Sequence, residues 1–156
     1  GLIKEIHAIL LDSVRGKDKT PGLIRTTQNW IGARGCSIEE ASYVPPSPVA
    51  VESYLENWLE YLSTDNEHPI IKAGILHAQF ELIHPFNDGN GRVGRLIMFK
   101  ECLACGFVPF IITDELKYFY YRGLQQWNSV RGYLLDTCLT AQDNYKALLD
   151  YFRIEY

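Results

Sequence analysis

Apolar residues recur along most of this chain at the three-to-four-residue spacing of helices rather than in strand-like alternation. In GLIKEIHAILLDSVRG, Leu2, Ile6, Ile9 and Leu10 fall on one face and predict a first helix that ends near Gly16. The stretch from Lys17 to Pro48 breaks the pattern. It is rich in Gly, Pro, Thr and Ser, includes GLIRTTQNWIGARG and ASYVPPSP, and reads as loop plus a short β-hairpin. Ser47 followed by Pro48 opens a second helix carried by Val51, Tyr54, Leu55, Trp58, Leu59 and Leu62. A third starts near Pro69, buries a stripe of Ile71, Ile75, Ala78 and Leu82, and delivers the chain to His84.

Beyond a polar loop, Arg92 to Ala104 is helical and Gly106 is a natural stop, with GFVPFIITD as connector. Helices over Lys117 to Val130 and Leu134 to Phe152 complete the set, the last with an apolar face of Leu135, Cys138, Tyr145, Leu148, Leu149 and Phe152. No internal repeat, low-complexity tract or second domain interrupts this order. The expected architecture is all-α: one helical bundle over residues 1–156 with a short β-hairpin.

Composition changes that picture little. With 156 residues and 47% hydrophobic side chains the chain can bury an ordinary core. A net charge of −4 argues against a broad footprint for nucleic acid or anionic membrane, so neither is expected as a partner. No apolar stretch is long enough to cross a bilayer, and the opening residues lack a basic leader and a cleavage site, which makes a cytoplasmic protein the simplest expectation. The chain opens on Gly1 rather than methionine, as a domain cut from a longer protein would. Cys36, Cys102, Cys105 and Cys138 are expected as free thiols; the C-x-x-C of Cys102 and Cys105 lies in a helical pattern with no second pair to complete a zinc site.

The chemistry is concentrated in HPFNDGNGRVGR, His84 to Arg95. Gly89, Asn90 and Gly91 can turn backbone amides inward beside the N-terminus of a helix, forming an anion cradle. Arg92 and Arg95, three apart on that helix, would repel near its positive end unless an anion lies between them, and a polyphosphate is the natural partner. Asp88 makes poor sense against phosphate but good sense as a ligand of Mg²⁺ bridging phosphate oxygens. His84, with an ordinary pKa near 6.5, supplies a general base for an attacking hydroxyl. Pro85 ends the helix before it, and Phe86 anchors the loop in the core. His7, His68 and His77 look ordinary, with no metal-ligand spacing, and Glu39 and Glu40 read as solvated residues of the hairpin.

This stretch resembles the signature of the Fic family, H-P-F-x-[D/E]-G-N-G-R-x-x-R, at every specified position. The resemblance continues through RTTQNWIG and YVPPSP, the helix HPIIKAGILHAQFELI, and RGYLLDTCLTAQDNYKALLDYF. It implies a Fic-fold helical bundle and transfer of AMP from ATP to a Tyr, Thr or Ser hydroxyl of a target protein, with release of pyrophosphate. Carried over by position, His84 is the base, Asp88 holds Mg²⁺, Gly89, Asn90 and Gly91 cradle the phosphates, and Arg92 and Arg95 contact the β and γ groups. Tyr120, Tyr121 and Asn128 match the residues that meet base and ribose, with Leu124 against the adenine; read from residues alone, YFYYRGLQQWNSV is an aromatic packing face. The hairpin matches the flap that pairs with an extended target segment, with Ile31, Gly32 and Ala33 near its working end.

Many Fic proteins are similar to one another in an inhibitory motif, [S/T]-x-x-x-E-[G/N], that is not found here. The nearest string, STDNEH, ends in His68. An upstream segment, a separate antitoxin and absence of regulation all stay open, with the upstream segment favoured. Two other activities are weighed against AMP transfer: removal of AMP from a modified protein at the same site, and a catalytically silent nucleotide-binding module, which an intact His84 and Asp88 count against. Kinase activity, as in the related Doc toxins, fits Gly89-Asn90-Gly91 less well.

Overall fold

A computed structural model of the chain describes residues 1–12, 20–64 and 67–156. These hold α1 (Leu2–Leu11), α2 (Val51–Leu62), α3 (Pro69–Ile83), α4 (Asn90–Ala104), α5 (Asp114–Gln125) and α6 (Gly132–Tyr151), with 3-10 turns at Ile38–Glu40 and Pro48–Ala50. The chain divides into two compact units, Gly1–Thr64 with Ala78–Gly94, and Asp65–His77 with Arg95–Tyr156.

In the first unit, α1 buries His7 and Leu11, one turn apart, whereas Ile9 is 78% exposed and Leu2 56%. The expected face of Leu2, Ile6, Ile9 and Leu10 is therefore wrong: hydrogen bonds to His7 turn the helix so that a polar ring faces inward. The helix also ends at Leu11, where the Asp12 N–H donates to the Ile9 carbonyl; Gly16 falls outside the described residues. Helix α2 starts as expected behind Ser47-Pro48 and buries Val51, Leu55 and Trp58 at i, i+4 and i+7. Four rings then run in sequence: Trp58 of α2 lies 5.8 Å from Phe80 of α3, Phe80 lies 6.4 Å from Phe86 in the loop, and Phe86 stacks on His7 of α1 at 3.7 Å and 3°. In α3 the buried positions are Ile70, Ile71, Ala73, Leu76, Ala78, Phe80 and Ile83, whereas Leu82 is 49% exposed. A helix buried on more than one side has no single stripe to read, so the expected Leu82 edge fails.

The expected hairpin reduces to one antiparallel bridge between Ile31 and Tyr43, and there is no strand among the described residues. Gly35 at φ +82° and the 3-10 turn at Ile38–Glu40 fill the span between, and two short limbs without a third strand do not sustain a ladder.

In the second unit, α4 ends in a Schellman motif: Gly106 takes φ +72°, its N–H donates to the Leu103 carbonyl, and the Phe107 N–H donates to Cys102. Helix α5 begins earlier than expected because Thr113, extended at ψ 169°, precedes Asp114 and Glu115, whose charges suit a helix N-terminus. It also ends earlier, leaving Asn128 in the following turns. Helix α6 buries Leu134, Thr137, Cys138, Ala141 and Gln142, while Leu148 and Phe152 are exposed, so the expected apolar face covers only its first half. All four cysteines are free thiols, and burial pushes those of Cys102 and Cys138 up to about 12. His77 is held neutral, with burial and then the nearby Arg95 lowering its pKa to about 4. Among the described residues no helix is long and apolar enough to cross a membrane.

Helices α5 and α6 meet at Gly123, where an added Cβ would lie 2.7 Å from both the nitrogen and the Cα of Leu134. Backbone meets backbone there, so no side chain can rotate away. Gly123→Ala gains up to about 1 kcal/mol in helix propensity but is expected to lose about 1–3 kcal/mol net through overpacking. Urea unfolding followed by circular dichroism would read this, and a stability equal to or above wild type would contradict so close an approach.

Candidate active site

Every backbone acceptor in the last turn of α3 finds a donor. The Phe80 carbonyl accepts from the His84 N–H at 3.0 Å, and Leu82 accepts from the Tyr43 hydroxyl at 3.1 Å. Ile83 accepts from Arg25 Nη2 at 3.4 Å, and His84 itself from Arg25 Nε at 2.8 Å. His84 Nδ1 lies 3.2 Å from the Glu81 carbonyl. A carbonyl can only accept, so Nδ1 carries the proton and Nε2 holds the lone pair. His84 takes φ +49°, a left-handed conformation costly for a side chain with a Cβ. Its pKa is lowered, first by burial and also by Arg25, against raising contributions from the Glu81 carbonyl and Asp88. The imidazole is thus neutral at pH 7 with Nε2 able to take a proton.

The loop after His84 is fastened at each step. Pro85 O accepts from the Arg25 N–H (3.0 Å), and Phe86 O accepts from Asn29 Nδ2 (3.1 Å) and Asn90 Nδ2 (2.8 Å). The Phe86 N–H donates to Asn90 Oδ1 at 2.9 Å. Asn90 is buried and its amide is spent on the loop, leaving only its backbone N–H for a ligand. Of the two glycines expected to supply unusual backbone angles, only Gly89 does, at φ +78°; Gly91 lies inside α4, which starts at Asn90 rather than Arg92. At Gly89 an added Cβ would meet His7, Leu10 and Leu11 at ordinary distances of 3.6 Å, so the angle and not the space requires glycine. The first amides of α4 have no carbonyl a turn earlier to bond, which is the arrangement an anion cradle requires.

Asp88 and Arg92 flank this helix start, both about half exposed. Asp88 Oδ1 accepts from the Gly89 N–H at 2.6 Å, and Oδ2 lies 3.7 Å from Arg92 Nη2. Such a pair is weak and readily exchanged. Among the described residues no group of three or more His, Cys, Asp or Glu could hold a metal alone. One half-exposed carboxylate fits a Mg²⁺ that takes its remaining ligands from phosphates and water.

In the second unit, Arg95 is exposed one turn further along α4. Tyr120 is 3% exposed and its hydroxyl donates to the Gly74 carbonyl, so its ring belongs to the core. Tyr121 is 56% exposed, Leu124 half-buried and Asn128 exposed. Glu67 of the STDNEH string pairs with Arg131 at 3.3 Å; Asp65 and Asn66 lie outside the described residues. In the first unit, Ile31, Gly32 and Ala33 are exposed, and a groove lined by Tyr43, Pro46, Tyr54, Trp58, Leu82 and Ile83 adjoins the flap.

Two residues of this site escape a reading of the sequence. His7 accepts from the Gly22 N–H at Nδ1 (2.8 Å), so its Nε2–H donates to the Asp88 carbonyl (3.0 Å), and burial lowers its pKa. Arg25 binds only carbonyls. The available signals were a histidine four residues from a buried leucine, and an arginine among Thr, Gln and Asn with no acid nearby.

The Fic/DOC family model matches residues 1–102. A protein adenylyltransferase Fic from Nematostella vectensis is 39% identical over 131 residues, which cover 81% of this chain and 28% of that protein. Protein adenylyltransferase fic-1 from Caenorhabditis elegans is 37% identical over 110 residues, 69% of this chain and 20% of that protein. The chain thus spans about a quarter of the length of these relatives. Among solved structures, a fragment of Fic-1 from C. elegans superposes with a TM-score of 0.66 at 26% identity, over 97% of this chain and 43% of that one. A Fic family protein from Desulfovibrio desulfuricans shares the fold, with a TM-score of 0.65 at 23% identity over 99% of this chain and 48% of that one. The helices, the fastened His84 loop and these matches agree: the chain belongs to the Fic/DOC family.

Proposed function

We propose that this chain transfers AMP from ATP to a Tyr, Thr or Ser hydroxyl of a target protein. The observation that carries this reading is the neutral His84, with its proton on Nδ1 and its lone pair on Nε2, four residues before the acid and the helix start that suit a phosphate chain. The target oxygen attacks the α-phosphorus, its proton passes to His84 Nε2, and the bond from phosphorus to the α,β-bridging oxygen breaks to release pyrophosphate. The amides of Asn90 and Gly91 and the Arg92 guanidinium hold the phosphates, Gly89, whose N–H donates to Asp88, supplies the turn into them, and Arg95 holds the terminal group. Asp88 would hold Mg²⁺, which when bound neutralises phosphate charge. Tyr121, Leu124 and Asn128 receive base and ribose, with Tyr120 backing Tyr121 at a ring distance of 5.9 Å. On the exposed flap, the Gly32 backbone and the Ala33 N–H are offered to an extended target segment, whereas the Ile31 N–H and carbonyl are taken by Tyr43 and Ser42 and hold the flap's own bridge. Names of adenylyltransferases among the relatives support the same reading.

Incubation with α-labelled or γ-labelled ATP, Mg²⁺ and a cell lysate tests it: protein should take label from the α position only, and label from γ would mean kinase chemistry instead. His84→Ala should lower transfer by about 10²-fold or more while ATP still binds. Arg95→Ala should weaken ATP by about tenfold or more but AMP much less, because it removes a charged contact to a group that AMP lacks; equal losses measured by calorimetry would remove Arg95 from the terminal phosphate. The pH dependence has a definite sign. Protonation silences a base, and burial holds the His84 pKa below 6.5, so the acid limb of the kcat/KM profile should fall below pH 6.5. A midpoint above that value would contradict the buried, neutral base.

A further inference from the structure

Arg25 is among the most buried side chains of the described residues, at 2% exposure. Its fork reaches carbonyls of three separate segments: His84 (2.8 Å) and Ile83 (3.4 Å) at the end of α3, Thr27 (3.2 Å) on the first limb of the flap, and Pro46 (2.6 Å) on the second. No carboxylate lies within ion-pair distance of it among the described residues. A buried charge without a counter-ion is costly, and a clasp between two limbs could be built from neutral amides, as Gln28 does by donating to Asn29 and Pro45. What a guanidinium adds is a planar fork that holds several acceptors in fixed directions at once. One of those acceptors is the carbonyl of the residue at φ +49° whose ring must point a lone pair at substrate.

We propose that Arg25 is a positioning residue for the reaction: it holds the His84 peptide in its left-handed turn, keeping Nδ1 on the Glu81 carbonyl, and ties that turn to both limbs of the flap. The proposal rests on the reading of His84 as the base. Loss of the fork frees the peptide to relax, the Nδ1 contact opens, and the ring samples both tautomers, only one of which presents Nε2 as a base.

Arg25→Lys and Arg25→Ala in the full chain test this. Both should lower kcat for AMP transfer by about 10- to 100-fold, the cost of a small misplacement of a reacting group, with the KM for ATP within about threefold because the phosphate contacts lie elsewhere. Methylguanidinium, but not methylammonium, should restore part of the lost rate to Arg25→Ala. Long-range nitrogen NMR of the His84 ring gives a readout that needs no activity: wild type should show the Nδ1–H tautomer and Arg25→Lys a mixture. A purely structural clasp would lower the unfolding midpoint yet leave the tautomer and the kcat of folded protein unchanged, and that result would overturn the proposal. If Arg25→Ala fails to fold, Arg25→Lys carries the test. If wild type transfers no AMP, the functional reading fails, and the ring spectra still decide whether Arg25 positions His84.

Discussion

Where α3 ends, the chain must leave a helix, turn through a left-handed residue that is not glycine, and hold an imidazole still while doing so. A left-handed residue with a Cβ costs about 1–2 kcal/mol, and a buried carbonyl left unpaired costs about as much again. His84 persists in that conformation because each carbonyl from Phe80 to Phe86 meets a donor, and Arg25 supplies those for Ile83 and His84 and, through its backbone, for Pro85. The flap limbs, the end of α3 and the start of the loop are consequently one hydrogen-bonded body.

Packing reinforces this from the opposite side. The rings of Trp58, Phe80, Phe86 and His7 connect α2, α3, the loop and α1, and His7 adds a directional contact to the Asp88 carbonyl. Gly89 can then turn at φ +78° into α4, with Asn90 bridging back to Phe86. The amides at the head of α4 have no acceptor within the helix, which suits them to the proposed phosphate contact. Rigidity is what the proposed transfer would need, since in-line displacement at phosphorus depends mostly on where the groups stand.

Much of the candidate site's local geometry was legible in the sequence because its parts are consecutive: His84, Asp88, the glycines and Arg92 need only a helix end and a helix start to be brought together. Arg25 and His7 were not legible, because their partners are backbone carbonyls and amides, which every residue has and no sequence distinguishes. The helices were found, but their buried faces were misjudged where polar contacts decided the rotation, as at α1, or where burial is many-sided, as at α3. Asn90 shows the same limit inside the motif itself: its backbone amide was read as part of the cradle, and the use of its side chain to fasten Phe86 was not legible. The flap illustrates a third kind of gap, since a hairpin pattern without a neighbouring strand leaves only the Ile31–Tyr43 bridge.

The fastened loop is proposed to activate a hydroxyl against the α-phosphorus of ATP. Peptide-level mass spectrometry of a protein modified by the purified chain, with pyrophosphate measured in the same reaction, addresses it most directly. One adenylate on a Tyr, Thr or Ser side chain is expected for each pyrophosphate released; phosphate on that side chain, or an adenylate formed equally well by His84→Ala, would contradict the proposed transfer.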